Sequence, residues 1–224
     1  MHNSYGKNIT MTLFGESHGQ AIGAVLDGLP GGVRIDEEYI AQVMEKRKAS
    51  GTISTPRKEA DKVKILSGVK DGYAEGTPIC MVIENTNVHS KDYSELEHTA
   101  RPGHADYTAH IKYDGYEDPR GGGHFSGRLT APIVACGAVA LSMLKAKGIT
   151  IGTHIQSLHG IQDAHFTQDN LSAQIASLNE KQFPVLDDAQ GSKMIEEIEK
   201  ARMAQDSVGG VLQTVILGLE PGIG

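Results

Sequence analysis

Short apolar runs separated by polar stretches rich in glycine set the rhythm of this chain, and only one apolar run is long. Residues 8–14 and 20–26 read as two strands around the bend Gly15-Glu16-Ser17-His18-Gly19. Asp27-Gly28 and Pro30-Gly31-Gly32 then turn the chain. Asp36 is placed to N-cap a helix whose apolar face is Ile40, Val43, Met44 and the stem of Arg47, with Ile35 and Ile40 set as a hydrophobic staple. Residues 48–62 show little periodicity and much Ser, Thr, Gly and Pro, which predicts a loop. Residues 63–69 and 78–84 are expected strands, connected through Asp71-Gly72 and Glu75-Gly76.

The stretch 85–125 is long, polar and rich in His, Asp, Tyr, Gly and Arg, with few apolar anchors, and reads as a functional surface. The long apolar run follows it. Pro132 would delete a needed hydrogen bond in a helix capped at Ser126, so the regular helix is expected to start at Thr130 and to run to about Lys147, where Gly148 stops it. Residues 124–127 then form an ordered lead-in. Beyond it the pattern predicts a strand over 149–157, helices over 170–178 and 192–204, and a strand over 209–219. Closely spaced strands mixed irregularly with helices favour an antiparallel α+β fold over a doubly wound parallel sheet.

Composition narrows the class. At 224 residues, with 39% hydrophobic and 22% charged residues, the chain reads as soluble and globular. A net charge of −7 argues against a nucleic-acid partner while leaving room for a local cationic pocket. Cys80 and Cys136 lack metal spacing and are expected to be buried free thiols in a reducing compartment. The N-terminus has no secretion pattern, and the apolar run 131–144 is too short to cross a bilayer, so no membrane role and a cytoplasmic location are expected.

Three polar islands remain: 15–19, 101–106 (Arg-Pro-Gly-His-Ala-Asp) and 120–128 (Arg-Gly-Gly-Gly-His-Phe-Ser-Gly-Arg). In the last, consecutive glycines permit close backbone approach, and flanking arginines supply positive charge, a build suited to a phosphorylated ligand. His18 and His104 each stand beside glycine on an expected exposed bend, as candidate acids or bases. The histidines at 89, 98, 104, 110 and 124 lack the spacing of a zinc site, so no metal is expected. The glycine run lacks the Gly-Lys-Ser/Thr ending of a phosphate loop. Arg47, Lys48, Arg57 and Lys58 form a second cationic cluster, a solvated face or an anion clamp. Residues 202–210 end a helix and enter a strand, with a helix stop and a ligand contact both open.

Taken together, Gly-Glu-Ser-His-Gly at 15–19, Ile65-Leu66-Ser67-Gly68-Val69, the 101–106 island, Arg120-Gly-Gly-Gly and Asp206-Ser207-x-Gly-Gly resemble the chorismate synthase family in order and spacing. The resemblance implies a sandwich of antiparallel sheets around a helical layer, one domain spanning 1–224 but incomplete, and a homotetramer at full length. It implies anti-1,4 elimination of phosphate from 5-enolpyruvylshikimate-3-phosphate, the last step of the shikimate pathway, with reduced FMN and with NADPH as candidate reductant. By motif, His18 protonates the leaving phosphate and His104 manages the flavin's protonation. Ser17, Arg47, Arg101 and Arg128 hold substrate, while His124, Phe125 and Ser126, with Arg47, contact cofactor. The chain departs from the family in carrying His124-Phe125-Ser126 where Arg-Ser-Ser is common, and Lys46-Arg47-Lys48-Ala49-Ser50-Gly51 where Arg-Arg-Pro-Gly is usual, with no arginine near Ile53. Family chains also continue past Gly224, toward further flavin contacts and an aspartate for proton removal, so slow turnover and weak FMN binding are expected. The alternatives are a non-catalytic phosphate- or nucleotide-binding module and a metal hydrolase.

Overall fold

The computed structural model describes residues 3–48, 61–86 and 99–223. They fall into two compact units, one holding the described residues up to Met143 and the other those from Leu144 onward.

The first unit is built on an antiparallel sheet of β1 (Ser4–Gly6), β2 (Thr10–Gly15), β3 (Ala21–Asp27), β4 (Val63–Ile65) and β7 (Ile79–Glu84), ordered β1-β2-β3-β7-β4. A small hairpin, β5 (Val69–Lys70) and β6 (Tyr73–Ala74), turns on Asp71-Gly72, both at positive φ, as its sequence suggests. Register decides which face is buried. Ile22 opposes Ile83, Ala24 opposes Met81 and Leu26 opposes Ile79, so alternate residues of two central strands form one apolar face. Against that face pack Ile40 and Met44 of α1 (Glu37–Arg47) and Ala131, Ala135, Ala138 and Val139 of α3 (Thr130–Ala146). Asp36 caps α1 by accepting a hydrogen bond from the Tyr39 amide at 2.9 Å. The apolar stretch Arg120–Ala146 is rich enough to suggest a membrane span, but its first ten residues are tight turns, and α3 packs its small residues into this core.

Four expectations change here. The strand foreseen over 63–69 breaks after Ile65, because the Ser67 hydroxyl donates to Pro78 O at 2.9 Å and accepts from the Cys80 amide at 3.2 Å, taking the place of ladder bonds. The polar stretch after 99 contains a helix, α2 (Asp106–Lys112), which buries only Ala109 and so carries no readable apolar stripe. The lead-in to α3 is wound into tight turns at Arg120–Phe125 and Gly127–Leu129, with Ser126 Oγ accepting from the Arg128 amide at 3.2 Å. The regular helix still starts at Thr130, as Pro132 requires. Of the cysteines, Cys136 is buried and burial pushes its thiol up to about 12, whereas Cys80 is half-exposed rather than buried.

The second unit has an antiparallel sheet β10-β8-β9, formed by β8 (Thr150–Leu158), β9 (Ile161–Gln162) and β10 (Gly210–Leu217), with α4 (Leu171–Glu180) and α5 (Asp188–Met203). Leu158, Val185 and Met194 centre its core. Gly148, at positive φ, receives the end of the preceding helix: its amide donates to Lys145 O and that of Ile149 to Leu144 O. α5 begins four residues earlier than 192 because Asp187 caps it and Gly191 sits inside it, where a Cβ would lie 2.6 Å from Val185. The 202–210 segment is a helix stop followed by close backbone approach: Asp206 donates to Ala201 O, and a Cβ on Gly210 would lie 2.7 Å from Ser157 O. Inside the unit, fully buried His154 donates to Asp163 at 2.6 Å. Burial alone would raise the Asp163 carboxyl, but the amides of Leu186 and Asp187 and the imidazole hold it below its usual range. Both units are α+β with antiparallel sheets, as the sequence pattern requires.

A glycine within the first sheet tests this packing. A Cβ on Gly23 would overlap the Phe14 ring and the Met81 carbonyl, so Gly23→Ala should cost about 3 kcal/mol in urea unfolding. Gly137→Ala, in α3 with open space around it, should gain about 0.5–1 kcal/mol. A neutral Gly23→Ala would contradict the sheet packing.

Candidate active site

The site is assembled around the bend that links β2 to β3. The Ser17 amide donates to Gly123 O at 3.0 Å, and the His124 Nδ1–H donates to Gly15 O at 2.9 Å, so the glycine run lies directly on the bend. Gly121, Gly122 and Gly123 all have positive φ. A Cβ on Gly121 would fall into the His18 ring and 3.2 Å from Ser17 Oγ, and one on Gly123 would overlap Asp118 O. Only glycine backbone permits this approach. The result corrects one expectation: Ser17 and His18 are buried, at 1% and 7% exposure, rather than standing on an exposed bend. His104 is exposed as expected, its Nδ1 3.4 Å from Pro102 O.

The described arginines expected to face a ligand, Arg47, Arg101, Arg120 and Arg128, are each tied to a carboxylate. Arg101 makes a bidentate pair with Asp106, Nε to Oδ2 at 2.8 Å and Nη2 to Oδ1 at 3.0 Å. That guanidinium holds the Asp106 carboxyl down at about 2, against an ordinary 3.8. Arg120 pairs in the same way with Asp118, at 2.9 and 2.7 Å, lowering the carboxyl and raising the guanidinium. Arg47 and Arg128 converge on one buried carboxylate, Asp61, Arg47 at 2.8 Å and Arg128 through a shorter contact. Arg47 also reaches Thr130 Oγ1 at 3.2 Å and Gly127 O at 3.3 Å. Asp61 has a positive φ of 44°, a strained setting for a non-glycine residue.

Beside the bend lies a cleft of about 670 Å³ walled by Phe14, Glu16, Tyr113, Glu117, His124 and Phe125. The Tyr113 and Phe125 rings lie 5.9 Å apart, and Lys112 Nζ stands 5.3 and 5.8 Å from their centres. Two buried oxygens, Ser17 Oγ and Glu117 Oε2, have no hydrogen-bond partner among the described residues.

The structure therefore joins Ser17, His18, Gly121–Gly123 and His124, and separately joins Arg47 to Arg128. Arg101 approaches the same run, with Nη2 3.8 Å from where a Cβ on Gly122 would be. Arg57, Lys58, His89, His98 and the Ala49-Ser50-Gly51 departure lie outside the described residues. Sequence reading missed Asp61, Asn85, Asp118 and Glu117. Only the i, i+2 placement of Asp118 and Arg120 was a usable signal.

The sequence model described as chorismate synthase matches residues 9–224. The chain belongs to the chorismate synthase family. It is 43% identical over 219 residues to the chorismate synthase of Thermococcus kodakarensis, covering 98% of this chain and 60% of that one. It is 47% identical over 223 residues to that of Sulfurovum sp., covering 99% and 60%. A crystal structure of chorismate synthase superposes with a TM-score of 0.73 at 25% identity, covering 97% of this chain and 60% of the other. The chain thus spans about 60% of the length of the curated relatives it matches.

The Arg101–Asp106 pair gives a pH-dependent prediction. With the folded carboxyl near 2 and its ordinary value 3.8, the pair stabilises the fold fully above 3.8, and that contribution disappears as pH falls through about 2. Asp106→Asn should be roughly 1–2 kcal/mol less stable at neutral pH, with the gap closing as pH falls across that window. Urea titrations at several pH values would show it, and a pH-independent gap would refute the assignment.

Proposed function

We propose that this chain serves the chorismate synthase reaction: anti-1,4 elimination of phosphate from 5-enolpyruvylshikimate-3-phosphate, giving chorismate at the end of the shikimate pathway. The observation that carries the reading is the buried Ser17–His18 pair under Gly121, whose Ser17 hydroxyl has no partner among the described residues. In the elimination a ring C–H bond gives its proton to a base, the electron pair left behind shifts the ring C=C and makes a second one, and the C–O bond to phosphate breaks. His18 holds the proton that neutralises the departing phosphate, and the Ser17 hydroxyl donates to one of its oxygens. Because the pair is buried, these hydrogen bonds act in a low-dielectric setting where each is stronger than in water.

Arg47, Arg101 and Arg128 hold the phosphate and carboxylates in this reading. Each already has a carboxylate partner, so substrate oxygens join or displace those carboxylates rather than meeting bare guanidinium groups. The cleft beside Phe125 fits a planar aromatic cofactor in volume and in its aromatic walls, with His124 and Phe125 lining it and Ser126 next in the chain. Reduced FMN, when bound, supplies electron density to the substrate and recovers it, leaving no net redox change. His104, exposed on the Arg101–Asp106 turn, holds or releases a proton on that side. NADPH as reductant, a cytoplasmic setting and, at the family's full length, a homotetramer belong to the same reading.

An anaerobic assay with reduced FMN and authentic substrate tests it, with bound substrate measured by calorimetry beside released phosphate. His104→Ala should lower phosphate release about 100-fold or more relative to the parent chain while substrate affinity stays within a few-fold. A variant that releases phosphate at a near-parental rate would overturn the role of His104. Equal loss of affinity and turnover would favour a binding module instead.

A further inference from the structure

Asn85 follows the last residue of β7 and belongs to none of the polar islands, yet it sits where two of them meet. Its backbone amide donates to Gln20 O at 3.0 Å, just beyond the bend. Its side-chain Nδ2 donates twice, to Glu16 O at 3.0 Å and Gly19 O at 2.9 Å, the residues bracketing Ser17 and His18. Its Oδ1 accepts from Arg128 Nε at 3.1 Å. The amide has two donor hydrogens facing two carbonyls and an oxygen facing a guanidinium, so only one orientation satisfies every partner. Arg128 in turn pairs with Asp61, which also takes Arg47.

From this geometry we infer that Asn85 is a positioning residue, which fixes the Ser17–His18 bend relative to the Arg47–Asp61–Arg128 cluster. The inference rests on the proposed function only for the ligand it serves. A bend of five residues closed by one backbone bond, Gly19 N–H to Glu16 O at 3.1 Å, has few constraints of its own. The Asn85 amide supplies two more and ties them to the nearest buried cation. Separation between the proton-bearing side chain and the anion-holding side chain is thereby set by one planar group rather than by two flexible ones. An error of about 1 Å between such groups can cost on the order of 100-fold in rate.

Two variants divide the role. Asn85→Ala removes all three side-chain bonds. Asn85→Asp keeps an acceptor for Arg128 Nε but sets a carboxylate oxygen against the carbonyls of Glu16 and Gly19. Affinity for 5-enolpyruvylshikimate-3-phosphate, measured well below each variant's melting temperature, should fall at least ten-fold in both. In a Ser17→Ala background the further loss from Asn85→Ala should be clearly smaller than in the parent chain, since the bend then presents only His18. Without ligand, hydrogen exchange at Arg128 Nε should accelerate at least ten-fold in Asn85→Ala and remain slow in Asn85→Asp, while His18 ring resonances move in both. A purely structural residue would lower stability yet leave affinity unchanged, or give losses that multiply fully with Ser17→Ala, and either result overturns the inference. If the parent chain fails to bind the substrate, the reading of function fails, and the ligand-free resonances then decide the role of Asn85. Unmoved His18 signals in both variants would end it.

Discussion

Everything in the candidate site depends on one close approach: the backbone of Gly121–Gly123 lying on the Ser17–His18 bend. The approach needs positive φ at three successive residues and no Cβ at the point facing the imidazole. It closes the bend from above, burying a serine and a histidine that would otherwise stand in water on a hairpin turn. The sheet beneath supplies the other half of the constraint. The bend is held at a fixed height because β2 and β3 pair in register from Thr10 opposite Asp27 to Gly15 opposite Ile22. The turns that carry the glycines lead directly into α3, whose small residues lock it to the same core. Backbone and core thus place the site before any ligand is considered.

Charge is the second organising fact. Local positive charge in a chain of net −7 suggests a cationic pocket, yet the described arginines of the site are met by Asp61, Asp106 and Asp118. Such pairing keeps long side chains in one geometry, which favours a bidentate or convergent anion seat over a diffuse positive patch. It also means that an incoming phosphate competes with carboxylates already in place. Asp61 is the clearest instance, a buried carboxylate between two arginines and at a strained backbone position.

Much of this was legible in the sequence, and the remainder was hidden for definite reasons. The start of the long helix at Thr130 and the Asp36 cap rest on local chemistry, and they stand in the structure as read. What local chemistry cannot express is which distant group completes a pair. Asp61 lies 67 positions from Arg128, and Asn85 lies 69 from Glu16, with no periodic signal connecting them. The burial of His18 was missed for the same reason: the glycines that cover it come from another part of the chain. Helix α2 was unreadable because it is short and buries one alanine, and the 63–69 strand was misread because a serine hydroxyl replaced its ladder.

The central claim, that the glycine run covers the histidine of the bend, is open to direct observation. Nuclear Overhauser contacts between the Gly121 α-protons and the His18 ring protons can be measured on the unliganded chain in solution. The account predicts strong cross-peaks, because a single added carbon at Gly121 would already overlap that ring. Absence of those cross-peaks, with a His18 ring in free exchange with water, would contradict it.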